Sequence, residues 1–143
     1  MKAVNSKNAK TNESRMKARS CLKALNERVR SIKVTIYNIA ELYKGAYQSA
    51  NIALNIQKVE KVIKDFEIIY PSFDSMKEFA RTSAELESKG ILVPIFDLLI
   101  GCVVLSADDM LYTKNTKHFE KIPRLKYVNW ESEDISGDSK EEN

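Results

Sequence analysis

The chain has 143 residues, of which 43% are hydrophobic and 30% charged, proportions typical of one soluble domain with its own core. The longest apolar stretch, residues 91–105, is too short to span a membrane, and no signal peptide is apparent. Charge is uneven, because residues 1–30 hold nine basic and two acidic side chains whereas residues 131–143 hold six acids and one lysine. A basic end can attract nucleic acid or an acidic partner, but a solvated helix face and a frayed tail explain the charges equally well.

The first elements are predicted from hydrophobic spacing and capping residues. Residues 1–14 have almost no apolar content and are expected to be poorly ordered. An amphipathic helix with a basic outer face follows, and then a β-branched strand at residues 32–36. Asn38 followed by Glu41 is typical of an N-cap with its capping-box partner, so a helix is expected at about residues 39–48.

The middle of the chain repeats this alternation. Apolar residues at helical spacing over residues 52–66 predict a second helix, and residues 67–70 form a short predicted strand that a proline ends. Ser75 and Glu78 have the spacing of another capping box. The helix that they would open is expected to end at Gly90, a typical C-terminal stop.

The last elements complete the pattern. Residues 96–105 are apolar on every side and predict a buried helix, and short strands are expected at residues 110–113 and 126–129. Strands that alternate with helices indicate an α/β domain with a mainly parallel sheet and helices on both faces. We expect this domain to cover residues 15–130 and the acidic residues 131–143 to form a disordered tail.

Three oxygen-bearing side chains are candidates for a functional site. Asp97 stands in the first turn of an otherwise apolar helix, where burial of an unpaired carboxylate is costly. Glu41 lies just beyond one predicted strand, and Asn115 directly follows another. Side chains that follow parallel strands meet at one edge of a sheet, where α/β proteins place their sites. Such a set of oxygens suits a hard cation such as Mg²⁺ or Mn²⁺.

Structural interpretations of the same residues remain open. Asp97 would also be stable as a helix N-terminal acid bonded to free backbone N–H groups, and Glu41 as a capping-box residue. His118, the only histidine, is more typical of a structural hydrogen-bonding residue than of a catalytic base. Cys21 and Cys102 lie within apolar patterns without metal-ligand spacing, which indicates buried free thiols and a reducing cytosol.

The sequence also resembles a known family. Residues 39–46 resemble the E-L-x-x-G-A segment of VapC-type PIN domains, and residues 96–101 resemble their D-x-L-I-A helix start. Residues 113–130 resemble the T-x-N-x-x-H-F, I-x-G-L and N-W segments with which these domains end. The segments occur in the family's order on suitable predicted elements, and the resemblance covers about residues 15–130.

This resemblance implies a three-layer α/β/α PIN-like domain that acts as a metal-dependent endoribonuclease of toxin–antitoxin type. Glu41 and Asp97 would be catalytic metal-site carboxylates, and Asn115 would take the fourth site position. Mg²⁺ or Mn²⁺ would activate a water for attack on an RNA phosphodiester. The resemblance further implies a cytoplasmic homodimer that a small antitoxin protein inhibits.

The opening residues depart from the family pattern. Family members begin with a central apolar strand that ends in Asp-Thr/Ser-Asn, whereas this chain begins with a polar segment. At best residues 3–6 take the place of that strand, with the amide of Asn5 where the acid should be. Otherwise the strand is missing because the start of this chain lies downstream of the true one or the gene is degraded.

Three functions are compatible with the sequence. The first is the toxin-type endoribonuclease, weakened by a neutral ligand or active in a longer natural form. The second is a non-catalytic, decayed PIN domain that dimerises or binds an antitoxin. The third is an RNA-binding module that uses the basic N-terminal helix, although the sequence shows no aromatic platform for RNA.

Overall fold

The computed structural model describes residues 32–132 and four earlier helical positions, Met16, Arg19, Ser20 and Lys23. These four positions are helical, as the predicted basic helix requires. The poorly ordered segment predicted at residues 1–14, Asn5, Cys21 and residues 133–143 of the predicted tail lie outside the described residues.

Helices and strands alternate along the described part of the chain. In chain order the elements are β1 (Lys33–Thr35), α1 (Ile36–Tyr47), α2 (Ile52–Ile63), β2 (Glu67–Ile69), α3 (Phe73–Ser88), α4 (Ile95–Ser106), β3 (Leu111–Thr113), α5 (Thr116–Phe119) and β4 (Tyr127–Asn129). None of these helices combines the length and the apolar character needed to cross a membrane.

All described strand pairs are parallel. β1 pairs with β2 in a register that joins Val34 to Ile68, and β3 pairs with β4 in a register that joins Tyr112 to Val128. The predicted α/β class with parallel strands is therefore confirmed. The described strands form two separate two-stranded ribbons rather than the one sheet that was predicted. An ion pair between Lys33 Nζ and Asp109 Oδ2, at 3.4 Å, links the two ribbons.

Helix α1 begins three residues earlier than the sequence predicted. Thr35 ends β1 and is also the N-cap, since its hydroxyl accepts a hydrogen bond from the backbone N–H of Asn38 at 3.2 Å. In return, Asn38 Oδ1 accepts from the backbone N–H of Thr35 at 3.1 Å. The predicted Asn38–Glu41 capping box is therefore wrong. The capping hydroxyl belongs to the last residue of β1, so α1 follows the strand without a linker. Glu41 therefore lies in the second turn of the helix.

Helix α3 shows the same displacement by about one turn. Its N-cap is Ser72, and Ser75 is the third helical residue that completes the capping box, through reciprocal bonds of 2.8 and 3.1 Å. The predicted Ser75–Glu78 box is wrong, because the serine one turn earlier caps first. Glu78 lies inside the helix instead. The predicted stop is confirmed, since Gly90 has a φ of +67° directly after the C-cap.

The core is built around helix α4. Its buried residues pack against residues from α3 and from the segment around α5, and the cluster comprises Leu86, Leu98, Ile100, Cys102, Val104, Phe119, Ile122 and Leu125. Gly101 is required for close packing, because a Cβ there would lie 2.5 Å from Ile122 Cδ1. The prediction of a helix buried on every side over residues 96–105 is wrong at its start, where Phe96 is exposed. Cys102 is buried as predicted, and burial raises the pKa of its thiol to about 11.

Candidate functional site

Asp97 is the third residue of α4, near the positive end of the helix dipole. Its N-cap is Pro94, which makes no side-chain capping bond. The Asp97 side chain is largely buried, with 16% of its surface exposed, and its Oδ2 lies 2.6 Å from Nδ1 of His118. The carboxylate therefore bonds to a residue that is distant in sequence, rather than serving only the start of its own helix.

His118 joins Asp97 to the end of strand β3. Its Nδ1 also lies 2.8 Å from Nδ2 of Asn115, the residue that precedes the short helix α5. The backbone N–H of Asn115 donates to Thr113 Oγ1 at 3.0 Å, which fixes the turn directly after β3. The structure thus brings Asp97 and Asn115 to the same imidazole nitrogen.

Glu41 approaches Asp97 through an aromatic contact between α1 and α4. The rings of Tyr37 and Phe96 meet edge to face, with centroids 6.1 Å apart. Glu41 lies one helical turn beyond Tyr37 on the same face of α1, and Asp97 directly follows Phe96 in α4, so both acids lie beside the contact between these helices. Burial and, secondly, the negative charge of Asp97 raise the pKa of the Glu41 carboxyl, while the ammonium of Lys44 lowers it.

The described residues therefore place Glu41, Asp97 and Asn115 around one end of α4, with His118 as the bonded link. Asn5, the remaining predicted position, lies outside the described residues. His118 was predicted as a structural hydrogen-bonding residue, but its partners Asp97 and Asn115 were not predicted. A signal for the contact with Asn115 exists, because Asn115 and His118 are three residues apart on a short helical turn and so face each other.

The donor types of these residues suit a hard divalent cation, but only two of the donors are anionic. Two carboxylates that repel each other, together with an amide, form an oxygen donor set that suits Mg²⁺ or Mn²⁺. Within residues 32–132, however, no group of three or more His, Cys, Asp or Glu side chains is placed to hold a metal ion. A cation here would depend on Glu41, Asp97 and neutral ligands.

Comparison with known sequences relates the chain to one group of proteins. No family model matches it. Ribonuclease VapC1 of Haemophilus influenzae strain R2866 is 31% identical over 91 residues, which are 64% of this chain and 68% of that protein. Ribonuclease VapC2 of Rickettsia felis is 31% identical over 101 residues, 71% of this chain and 75% of that protein.

Solved structures give the same relationship. VapBC-1 from nontypeable Haemophilus influenzae matches with a TM-score of 0.69 and 28% identity, over 76% of this chain and 86% of that chain. VapBC2 from Rickettsia felis, solved with a DNA fragment from its promoter, matches with a TM-score of 0.66 and 31% identity, over 70% of this chain and 75% of that chain. The α/β fold described above is therefore the fold of these proteins.

Proposed function

The chain belongs to the VapC-type PIN-domain family, and we propose that it is a toxin-type endoribonuclease that cleaves RNA phosphodiester bonds with a divalent cation. One observation carries the proposal: the largely buried carboxylate of Asp97 at the start of α4 lies 2.6 Å from His118 Nδ1, the same ring nitrogen that the side chain of Asn115 contacts. Two neighbouring carboxylates repel each other, which lowers the stability of the folded protein when no cation lies between them. A bound cation would relieve that repulsion.

The proposed site consists of metal ligands and of one residue that bonds to a ligand. Glu41 and Asp97 would hold Mg²⁺ or Mn²⁺, with the amide oxygen of Asn115 as a neutral ligand. When bound, such an ion lowers the pKa of a water and stabilises charge on the scissile phosphate. Asp97 is bonded to His118, and the first turn of α4 adds a positive helix dipole. With two anionic ligands rather than three, we expect weak cation binding and slow cleavage.

The proposal includes partners. RNA is the substrate, a small antitoxin protein is the inhibitor, and the active form is a homodimer in the cytoplasm. Exposed apolar side chains on α1 and α2 support a protein partner, because both helices leave such residues uncovered: Leu42, Tyr47, Ile52, Leu54 and Val62. The buried free thiol of Cys102 suits a reducing compartment.

The same exposed residues favour a second candidate, a non-catalytic protein that dimerises or binds an antitoxin. The two candidates make different demands on Asp97. A ribonuclease needs its charge, whereas an interaction protein that uses α1 and α2 does not.

The test compares Asp97→Asn with Asp74→Asn, which removes an exposed carboxylate from α3 away from the site. Mn²⁺ binding is measured by calorimetry, and cleavage of a structured RNA is measured in Mn²⁺ and in EDTA. We expect the unaltered protein and Asp74→Asn to bind Mn²⁺ and to cleave slowly, and Asp97→Asn to do neither. Cleavage that persists in EDTA or in Asp97→Asn would overturn the proposal. Absence of both binding and cleavage in the unaltered protein would favour the interaction protein.

A further inference from the structure

His118 makes two close contacts through one ring nitrogen. Its Nδ1 lies 2.6 Å from Asp97 Oδ2 and 2.8 Å from the side-chain amide of Asn115. The three groups come from α4, from α5 and from the residue after β3, so this nitrogen joins separate elements. The imidazole is partly exposed, whereas the carboxylate that it contacts is largely buried.

The chemistry of the groups decides which of them donates. An ionised carboxylate can only accept hydrogen bonds, and an imidazole nitrogen carries either one hydrogen or one lone pair. A bond between Asp97 Oδ2 and Nδ1 therefore requires the hydrogen on Nδ1. The alternative places the hydrogen on the carboxyl oxygen and a lone pair on Nδ1, and the tautomer of the ring distinguishes the two arrangements.

The amide of Asn115 follows from this assignment. The structure places Asn115 Nδ2 at 2.8 Å from Nδ1, so a hydrogen on Nδ1 requires the opposite orientation of the amide, with its oxygen facing the ring. The Nδ1–H group then donates to both the Asp97 carboxylate and the Asn115 amide oxygen. Neutral His118 would hold its proton at Nδ1 and leave Nε2 as an unprotonated acceptor.

We propose that His118 is a positioning residue, whose Nδ1–H fixes Oδ2 of Asp97 and leaves the other carboxylate oxygen free for a cation. Residues that bond to the ligands of a metal set their orientation, and their loss typically lowers metal affinity by about 10- to 100-fold. The Asp97 carboxylate is largely buried, and His118 is its bonded partner from a different element of the fold. The identity of the cation rests on the proposed function, whereas the position of the proton is a property of the protein without metal.

The first test determines which ring nitrogen of His118 carries the proton. His118 is the only histidine, so ¹⁵N-labelled imidazole gives one unambiguous set of ring resonances. In metal-free protein we expect the Nδ1–H tautomer when the ring is neutral. Asp97→Ala should shift the ring toward the Nε2–H form. An Nε2–H tautomer in the unaltered protein would overturn the proposal, as would an Nδ1–H tautomer that Asp97→Ala leaves unchanged.

The second test separates the two ring nitrogens. The amide nitrogen of asparagine can take the place of Nδ1, whereas that of glutamine reaches the place of Nε2. We expect His118→Asn to retain Mn²⁺ affinity within a few-fold and His118→Gln to lose about 10- to 100-fold, by calorimetry. Thermal unfolding of both variants shows whether they are equally folded.

The outcomes of the second test distinguish the positioning role of His118 from the proposed metal function. Equal loss in two equally folded variants, or retention in both, would overturn the positioning role. If the unaltered protein binds no Mn²⁺, the proposed metal function fails, and the tautomer measurement alone decides the bond between His118 and Asp97.

Discussion

Arg124 adopts a backbone conformation that favours glycine, and replacing it tests how the segment after α5 is held. Its φ is +67°, in the left-handed region, and the resembling family segment I-x-G-L has glycine at this place. The guanidinium compensates by donating from Nη2 to Glu78 Oε1 at 2.6 Å. We predict that Arg124→Gly is more stable than Arg124→Ala.

The magnitude follows from terms that differ between the two variants. Both lose the ion pair with Glu78, so that loss cancels in the comparison. A left-handed conformation costs a non-glycine residue about 1–2 kcal/mol. Glycine loses about 0.4–1 kcal/mol more than alanine in unfolded-state entropy. Taking the middle of each range, Arg124→Gly should exceed Arg124→Ala by about 0.8 kcal/mol in the free energy of unfolding, and by at most about 1.6 kcal/mol.

Urea denaturation measures this difference, provided that both variants unfold with the same slope. Ala84 is the matched control, since it is exposed inside α3, where the backbone is helical. There Ala84→Gly should lower the free energy of unfolding by about 1 kcal/mol. Glycine should thus give the more stable protein at position 124, and alanine should give the more stable protein at position 84. Equal stability of Arg124→Gly and Arg124→Ala, or a more stable alanine variant, would refute the reasoning.

Three further predictions concern the core, the acid network and the tail. Gly101→Ala should cost about 1–3 kcal/mol through overpacking against Ile122 Cδ1, and the better helix propensity of alanine should offset about 1 kcal/mol of that cost. Ile122→Val removes the nearest atom and should recover part of the loss, so additive effects in a double-mutant cycle would contradict this prediction. Burial raises the pKa of Glu78, but bonds from Thr82 and Arg81 and the charge of Arg124 outweigh burial and lower it. The ionised Glu78 carboxylate therefore stabilises the folded protein at pH values above the ordinary glutamate pKa, and this stabilisation is lost as pH falls through the lowered pKa. Glu78→Gln should therefore make the urea midpoint less dependent on pH in the acid range. Removal of residues 133–143 should leave the thermal midpoint nearly unchanged, and a drop of several degrees would show that the tail packs on the domain.

The sequence predicted the type and order of the elements better than their beginnings. Residues that can cap a helix occur one turn apart at both α1 and α3, and spacing alone cannot show which of the two is used. Thr35 and Ser72 cap because each stands where the preceding extended segment ends. The separation of the strands into two ribbons also could not be predicted, because strand pairing depends on packing across the whole domain.

The candidate site was predicted in part. Asp97 was indicated by its placement in an apolar helix, and Glu41 and Asn115 were indicated by their positions after predicted strands and by the resemblance. The bond between Asp97 and His118 joins residues that are distant in sequence, so only the packing of α4 against α5 reveals it. The metal role of these residues, and of Asn5, remains a prediction.

RNA cleavage by three forms of the chain tests the central claim most directly: the unaltered protein, Asn5→Asp, and Asn5→Asp combined with Asp97→Asn. Negative ligands hold a divalent cation and fix the water that it activates, so a neutral amide in the opening position should weaken both functions. In Mg²⁺ or Mn²⁺, with EDTA as the control, we predict little cleavage by the unaltered protein, more cleavage with tighter metal binding in Asn5→Asp, and none in the double variant. Robust cleavage by the unaltered protein, abolished by Asp97→Asn alone, would show that the opening acid is not required. No cleavage even in Asn5→Asp would contradict the ribonuclease account of this chain.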